Sequence, residues 1–293
     1  MNEHRVQQLL DEARYFEQHR MWLHAVQMYQ RVIEMVPDDI RYRIRLGQVY
    51  LEMGNLNASE QVLLRALKHE PRNHEILYSL GVICYQSGNY ERSLFYLERL
   101  APSDDAKAHY SLGMVYWQRG ELEHAERHFH RALELQDNHL DAALALGETR
   151  LRNGRNRSAI EALQRATQID PRSTVALAAL ASAHLAARQW TAAMNALERA
   201  LLIEPGKAEL LLPLAGAMLR AGFPDEAEQV YKEVLQKESH REAALLGLGR
   251  VALLKSNRVR AEEYFTRVLE IDPENEEALE QLQYLAPHGK LPQ

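Results

Sequence analysis

Five prolines in this chain each close a short run of acidic and apolar residues: Pro37 in EMVPDD, Pro71 in KHEPRN, Pro171 in QIDPRS, Pro205 in LIEPGK and Pro273 in EIDPEN. They stand 34, 100, 34 and 68 residues apart, which is one, three, one and two periods of 34 with two residues missing between Pro71 and Pro171. A fixed period of this length means a row of small supersecondary units, none of which can bury its apolar face alone.

With the proline set as position 32, the units run 6–39, 40–73, 74–105, 106–139, 140–173, 174–207, 208–241 and 242–273. Position 8 is then Ala13, Gly47, Gly81, Gly113, Gly147, Ala181, Ala215 and Gly249, and position 20 is Ala25, Ser59, Ser93, Ala125, Ala159, Ala193, Ala227 and Ala261. Both columns are uniformly small. Position 24 is uniformly bulky: Tyr29, Leu63, Leu97, Phe129, Leu163, Leu197, Tyr231 and Phe265. Small columns facing a bulky one describe knobs meeting holes.

Within each unit the apolar residues recur at helical spacing, such as Leu46, Tyr50 and Leu51, then Val62, Leu63, Ala66 and Leu67, so two helices per unit are expected. The break between them falls at position 15, occupied by Gly54, Gly88, Gly120, Gly154 and Gly222, where a left-handed residue ends the first helix. Arg20, Arg188 and Ser256 stand there in the other three units and predict less favourable turns. The proline column ends the second helix, with Asp137 and Ser239 replacing it in the fourth and seventh units. The two missing residues lie between Leu100 and Ala106, where Pro102 is expected to shorten a helix and to change the local pitch.

This pattern, with Leu46-Gly47, Leu80-Gly81, Leu112-Gly113, Leu146-Gly147 and Leu248-Gly249, a small residue twelve positions later and the late proline, resembles the tetratricopeptide repeat family over residues 6–273. The resemblance implies an all-α fold, a right-handed α-solenoid of antiparallel helix hairpins. Residues 274–286 read as the solvating C-terminal helix that such arrays need, and 287–293 as a disordered tail.

Function on such a scaffold must be read from a surface. Positions 2, 5, 9 and 12 of each first helix share one face, and in the resembling family that face lines a concave groove. In the third unit it carries Glu75, Tyr78, Val82 and Tyr85, in the fourth Lys107, Tyr110, Met114 and Trp117, and in the fifth Leu144 and Leu151. Clustered aromatics in a groove supply large apolar area at low rotamer cost and suit protein recognition. The competing reading is that these side chains pack between neighbouring helices. Upstream, Arg14, Arg41, Arg45 and Gln48 offer charge-assisted hydrogen bonds to an acidic segment, against the plainer reading that they are solvated or paired within the chain. The family's carboxylate clamp for chaperone tails wants Lys then Asn, then Asn, then Lys and Arg in successive first helices. Leu10, Arg14, Arg45, Glu75 and Ser79 do not supply it.

Catalytic signals are weak. Gly247-Leu-Gly249-Arg-Val-Ala252 formally matches a dinucleotide fingerprint but falls inside a first helix with no strand before it, so it reads as packing. His124 and His128 are four apart with His130 nearby, a metal-compatible spacing that ordinary surface histidines also produce. The single cysteine, Cys84, reads as core packing and excludes an internal disulfide. The groove columns lack convergent polar groups, so no enzyme, cofactor or metal is expected.

Thirty-five Lys and Arg against forty-one Asp and Glu give a net charge of -6, which disfavours nucleic acid. No apolar run approaches the length of a membrane span, and MNEHRVQQLLDEARYFEQ lacks the basic flank and apolar stretch of a signal peptide, so the expected location is cytoplasmic. The expected function is an adaptor holding a protein or peptide in the concave groove. The alternative is a self-assembling array that forms homo-oligomers.

Overall fold

The computed structural model describes residues 2–236 and 241–285. Ser239 and the expected tail 287–293 lie outside the described residues. Among the described residues the chain is all-α, and it divides into two compact units, 1–142 and 143–293.

The first unit holds α1 (Asn2–Gln18), α2 (Trp22–Met35), α3 (Ile40–Glu52), α4 (Leu56–His69), α5 (His74–Gln86), α6 (Tyr90–Leu97), α7 (Ala106–Gln118) and α8 (Leu122–Leu135). Helix α9 (Leu140–Arg152) spans the boundary. The second unit continues with α10 (Asn156–Ile169), α11 (Thr174–Ala186), α12 (Trp190–Ile203), α13 (Ala208–Ala221), α14 (Pro224–Leu235), α15 (Arg241–Leu254), α16 (Arg258–Leu269) and α17 (Glu276–Leu285). Consecutive helices within each unit pack on one another through turns of a few residues, so each unit is a stretch of α-solenoid built from antiparallel hairpins.

The small and bulky columns meet as their chemistry requires. A Cβ built on Gly47 would lie 2.6 Å from Leu63 Cγ, on Gly81 2.5 Å from Leu97 Cγ, and on Gly147 2.4 Å from Leu163 Cγ. The first helix of the hairpin therefore approaches the second closely enough that its backbone is the packing surface. Where position 20 is serine, its hydroxyl donates to the carbonyl of position 8: Ser59 Oγ to Gly47 O at 2.5 Å and Ser93 Oγ to Gly81 O at 2.7 Å, both buried. That bond supplies the partner a buried hydroxyl needs, so serine and alanine serve alike.

The turns inside the hairpins share one closure. Asn55 N donates to Tyr50 O at 2.8 Å, Asn89 N to Cys84 O at 2.8 Å and Arg155 N to Arg150 O at 2.8 Å, the long bond of a Schellman motif around a left-handed residue. Gly54, Gly88, Gly120, Gly154 and Gly222 have φ between 70° and 90°. Arg20, Arg188 and Ser256 adopt the same region at φ 55°, 57° and 55° and close with the same bond. Asn55, Asn73, Asn89 and Asn257 cap the following helices by accepting from a backbone N–H three residues on.

Helix α6 has 8 residues where its counterparts α2, α4 and α8 have 14. It gives way to a 3-10 turn, Ala101–Ser103, that contains Pro102, and Asp104 follows in the left-handed region. Helix α17 covers α16 with Ala278 and Leu285 in the last apolar cluster.

Candidate functional site

In the first unit, the face shared by positions 2, 5, 9 and 12 of the first helices begins on α1 and α3. Positions 9 and 12 of the first repeat are Arg14 and Glu17, and Arg45 reaches back from α3 to grip Glu17 with two guanidinium nitrogens, Nε to Oε1 at 3.1 Å and Nη2 to Oε2. Tyr29 donates its hydroxyl to the same carboxylate at 2.6 Å. Arg45 also donates to Gln48 Oε1 at 3.2 Å, and Gln48 Nε2 donates to Glu75 Oε1 at 2.6 Å. A chain of hydrogen bonds thus runs from α2 through α1 and α3 to α5. Burial and the neighbouring carboxylate push the Tyr29 phenol up to about 12, while Glu17 raises the Arg45 guanidinium, so at neutral pH the phenol keeps its proton and the guanidinium its charge.

Arg14, Glu17, Arg45, Gln48 and Glu75 edge a cleft of about 590 Å³ that Trp22, Val49, Leu51 and Tyr78 line with apolar surface. Arg14, Arg45, Gln48 and Tyr78, four of the residues singled out in the sequence, are brought together here. Arg41 is not among them: its guanidinium pairs with Asp39, the residue that caps α3, at 2.6 Å. Arg14 lies 3.6 Å from Asp11, both exposed. Each arginine proposed to grip an external carboxylate already faces a carboxylate of the chain. Glu17 and Trp22 were not singled out from the sequence; Glu17 stands at position 12 of its repeat, so the same column rule points to it.

The aromatic row follows on α5 and α7. Tyr78, Val82, Tyr85, Tyr110, Met114 and Trp117 are all half-buried, neither interred in the core nor standing clear of it. Ser111 Oγ donates to Tyr78 OH at 3.5 Å and Gln118 Nε2 to Tyr85 OH at 3.3 Å, which places the two helices' faces side by side. The Tyr110 ring rests against Phe129 and His139, with centroids 5.8 and 5.0 Å away. Half-burial means that each side chain of the row is packed in part and exposed in part. In the second unit Leu144 and Leu151 are half-buried and lean on the cluster that contains Ala159, Leu163 and Leu180.

The histidines divide. His128 lies inside the α7–α8 hairpin with its Nδ1 3.0 Å from His109 Nδ1, and Tyr116 stacks on both His128 and His124. His130 turns to Glu134 at 3.1 Å. Among the described residues no three His, Cys, Asp or Glu side chains converge as a metal ion would require. Cys84 is buried in the α5 core, and burial pushes its thiol up, away from the reactive thiolate. Gly247 and Gly249 sit within α15 under the rings of Tyr231 and Phe265, where a Cβ would come within 2.3 and 2.6 Å, so the glycines serve packing. No helix among the described residues is long and apolar enough to cross a membrane.

Repeated helix hairpins with these small and bulky columns define an all-α repeat protein. Two tetratricopeptide repeat models match it, one over residues 44–108 and 110–174 and the other over 184–230 and 218–283. The chain belongs to the tetratricopeptide repeat family. No curated protein sequence matches it. Among solved structures it is similar to the C-terminal part of a TPR repeat-containing protein from Cytophaga hutchinsonii, at 16% identity and TM-score 0.69 over 82% of this chain and 99% of that one. It is also similar to YrrB, described as a TPR protein with an unusual peptide-binding site, at 19% identity and TM-score 0.55 over 66% and 97%. A third is PilW, a widely conserved type IV pilus biogenesis factor, at 19% identity and TM-score 0.59 over 71% and 98%.

Proposed function

We propose that the chain is a protein-interaction adaptor that holds an extended or helical segment of a partner on the groove face of its first unit. The observation that carries this reading is the row of half-buried Tyr78, Tyr85, Tyr110 and Trp117 beside the 590 Å³ cleft. Aromatic rings anchored on one side and open on the other offer apolar contact area without the cost of ordering them on binding. The family's fold is that of an interaction scaffold, and YrrB, which shares the fold, is described as having a peptide-binding site.

The charge pattern refines the partner. Arg45 is committed to Glu17 and Arg41 to Asp39, whereas Glu52 and Glu75 are exposed beside the cleft. A segment with an apolar anchor flanked by Lys or Arg complements that rim better than an acidic one.

A Tyr85→Ala, Tyr110→Ala, Trp117→Ala variant tests the reading by affinity capture and quantitative binding of the captured partner. Loss of at least about tenfold in affinity, with helicity unchanged, is expected from removing central aromatic contacts. Unchanged affinity would move the binding surface elsewhere.

A further inference from the structure

The second unit carries a charge asymmetry that the groove reading does not use. Its four intra-hairpin turns lie side by side along one edge: Asn156 Nδ2 donates to Ala186 O at 3.0 Å, the Arg220 guanidinium sits 5.5 Å from the centroid of Trp190, and Lys255 Nζ pairs with Asp225 at 2.5 Å. The stretches that make these turns, 150–159, 184–193, 218–227 and 252–261, hold nine Arg and Lys against two carboxylates, Asp225 and Glu226. The corresponding stretches of the first unit, 16–25, 50–59, 84–93 and 116–125, hold three Arg against five Glu. A chain with net charge -6 has therefore gathered cations onto one edge of one unit.

Much of that charge is internally matched: Arg150, Arg152 and Arg155 interact within the chain, Glu228 also holds Lys255, and Glu262 holds Arg258. Arg157, Arg188 and Arg260 are exposed and form no ion pair with a described residue. Between these cations, apolar side chains protrude at the turns: Phe223 is 44% exposed, Leu254 64% and Val259 76%. Single exposed apolar side chains are ordinary on a protein surface, and Met21, Leu23 and Met53 are exposed at turns of the first unit as well; what sets the second unit apart is that its apolar tips stand among arginines without an ion pair.

We propose that this edge is a peripheral docking surface for an anionic lipid membrane. Arginines at the turns attract the negative headgroups, and Phe223, Leu254 and Val259 enter the boundary between headgroups and acyl chains. A membrane engages a row of protruding tips together. A uniformly acidic polypeptide has no apolar groups with which to cover the exposed side chains. The groove residues of the first unit take no part, so this binding is independent of the adaptor role.

The test is flotation of the full chain with vesicles of phosphatidylcholine alone and of phosphatidylcholine mixed with phosphatidylglycerol, at low and physiological salt. Binding is expected only with phosphatidylglycerol and should weaken as salt rises. The Arg157→Glu, Arg188→Glu, Arg260→Glu variant should lose at least about tenfold in bound fraction. Phe223→Ser with Val259→Ser should lose severalfold while keeping the salt dependence. Absence of binding to anionic vesicles, or equal binding by the charge-reversed variant, overturns the proposal. So does binding of polyglutamate to the same arginines with no effect of the Phe223 and Val259 changes, which would assign the edge to an acidic polypeptide.

Discussion

The ring of Phe129 lies over the backbone of Gly113, so that a Cβ on Gly113 would come within 2.5 Å of Phe129 Cε1. Intrinsic preference favours Ala over Gly inside a helix by about 1 kcal/mol, and overpacking a fitted core costs about 1–3 kcal/mol. The ring is fully buried and has nowhere to retreat, so the packing effect wins. Gly113→Ala is expected to destabilise the protein by roughly 1–2 kcal/mol in chemical denaturation. Gly216→Ala supplies the contrast: the nearest atom to its Cβ is Tyr231 Oη at 3.7 Å, and this substitution should be neutral or stabilising by up to about 1 kcal/mol.

Ser256 closes its turn at φ 55° with the same bond pattern that glycine makes elsewhere. A side chain in the left-handed region carries a steric cost of about 1 kcal/mol, partly offset by the greater freedom that glycine loses on folding. Ser256→Gly should raise stability by about 0.5 kcal/mol, read as a higher thermal midpoint with the far-ultraviolet spectrum unchanged. A fall in midpoint would mean that the serine hydroxyl contributes more than the strain removes.

The His109–His128 contact makes the α7–α8 hairpin acid-sensitive. At 3.0 Å between Nδ1 atoms one nitrogen must donate and the other accept, so the two cannot both be protonated. Burial, the second imidazole, Arg127 and His124 lower His128 from its ordinary 6.5 to about 4, and burial and Arg131 lower His109 against the opposing pull of Asp104 and Asp105. A base whose folded value is depressed leaves stability intact above 6.5, where folded and unfolded chains are both neutral. Stability is then lost as pH falls from about 6.5 towards 4, because the unfolded chain takes up the proton first. Allowing for solvent screening, the loss should be roughly 1–2 kcal/mol. His128→Gln should flatten the midpoint profile between these pH values relative to wild type. Parallel profiles for the two proteins would remove the pair from the acid response.

What was legible in the sequence follows from how many times each constraint is repeated. Position 8 faces position 24 closely in the hairpins where it is glycine, so the demand for a small residue at Gly47, Gly81, Gly113, Gly147 and Gly249 appears as a column, and the fold can be read from it. The shortened α6 was equally visible, because Pro102 and the two absent residues break an otherwise regular count. The contacts of the groove were not legible. Nothing in the position of Arg45 distinguishes a guanidinium open to a ligand from one gripped by Glu17, since their meeting depends on the angle between α1 and α3. The His109–His128 pair was hidden for a similar reason. The sequence spacing drew His124, His128 and His130 together on one helix, whereas the partner that matters comes from the preceding helix.

The adaptor reading is tested most directly by photo-cross-linking in cells that make the protein, with benzoylphenylalanine placed at Tyr85 on the groove face of α5 or at Phe95, which is 61% exposed on α6. The account predicts a discrete partner adduct from position 85 and none from position 95. Adducts from position 95 alone would contradict it and place the partner on the second helices of the hairpins.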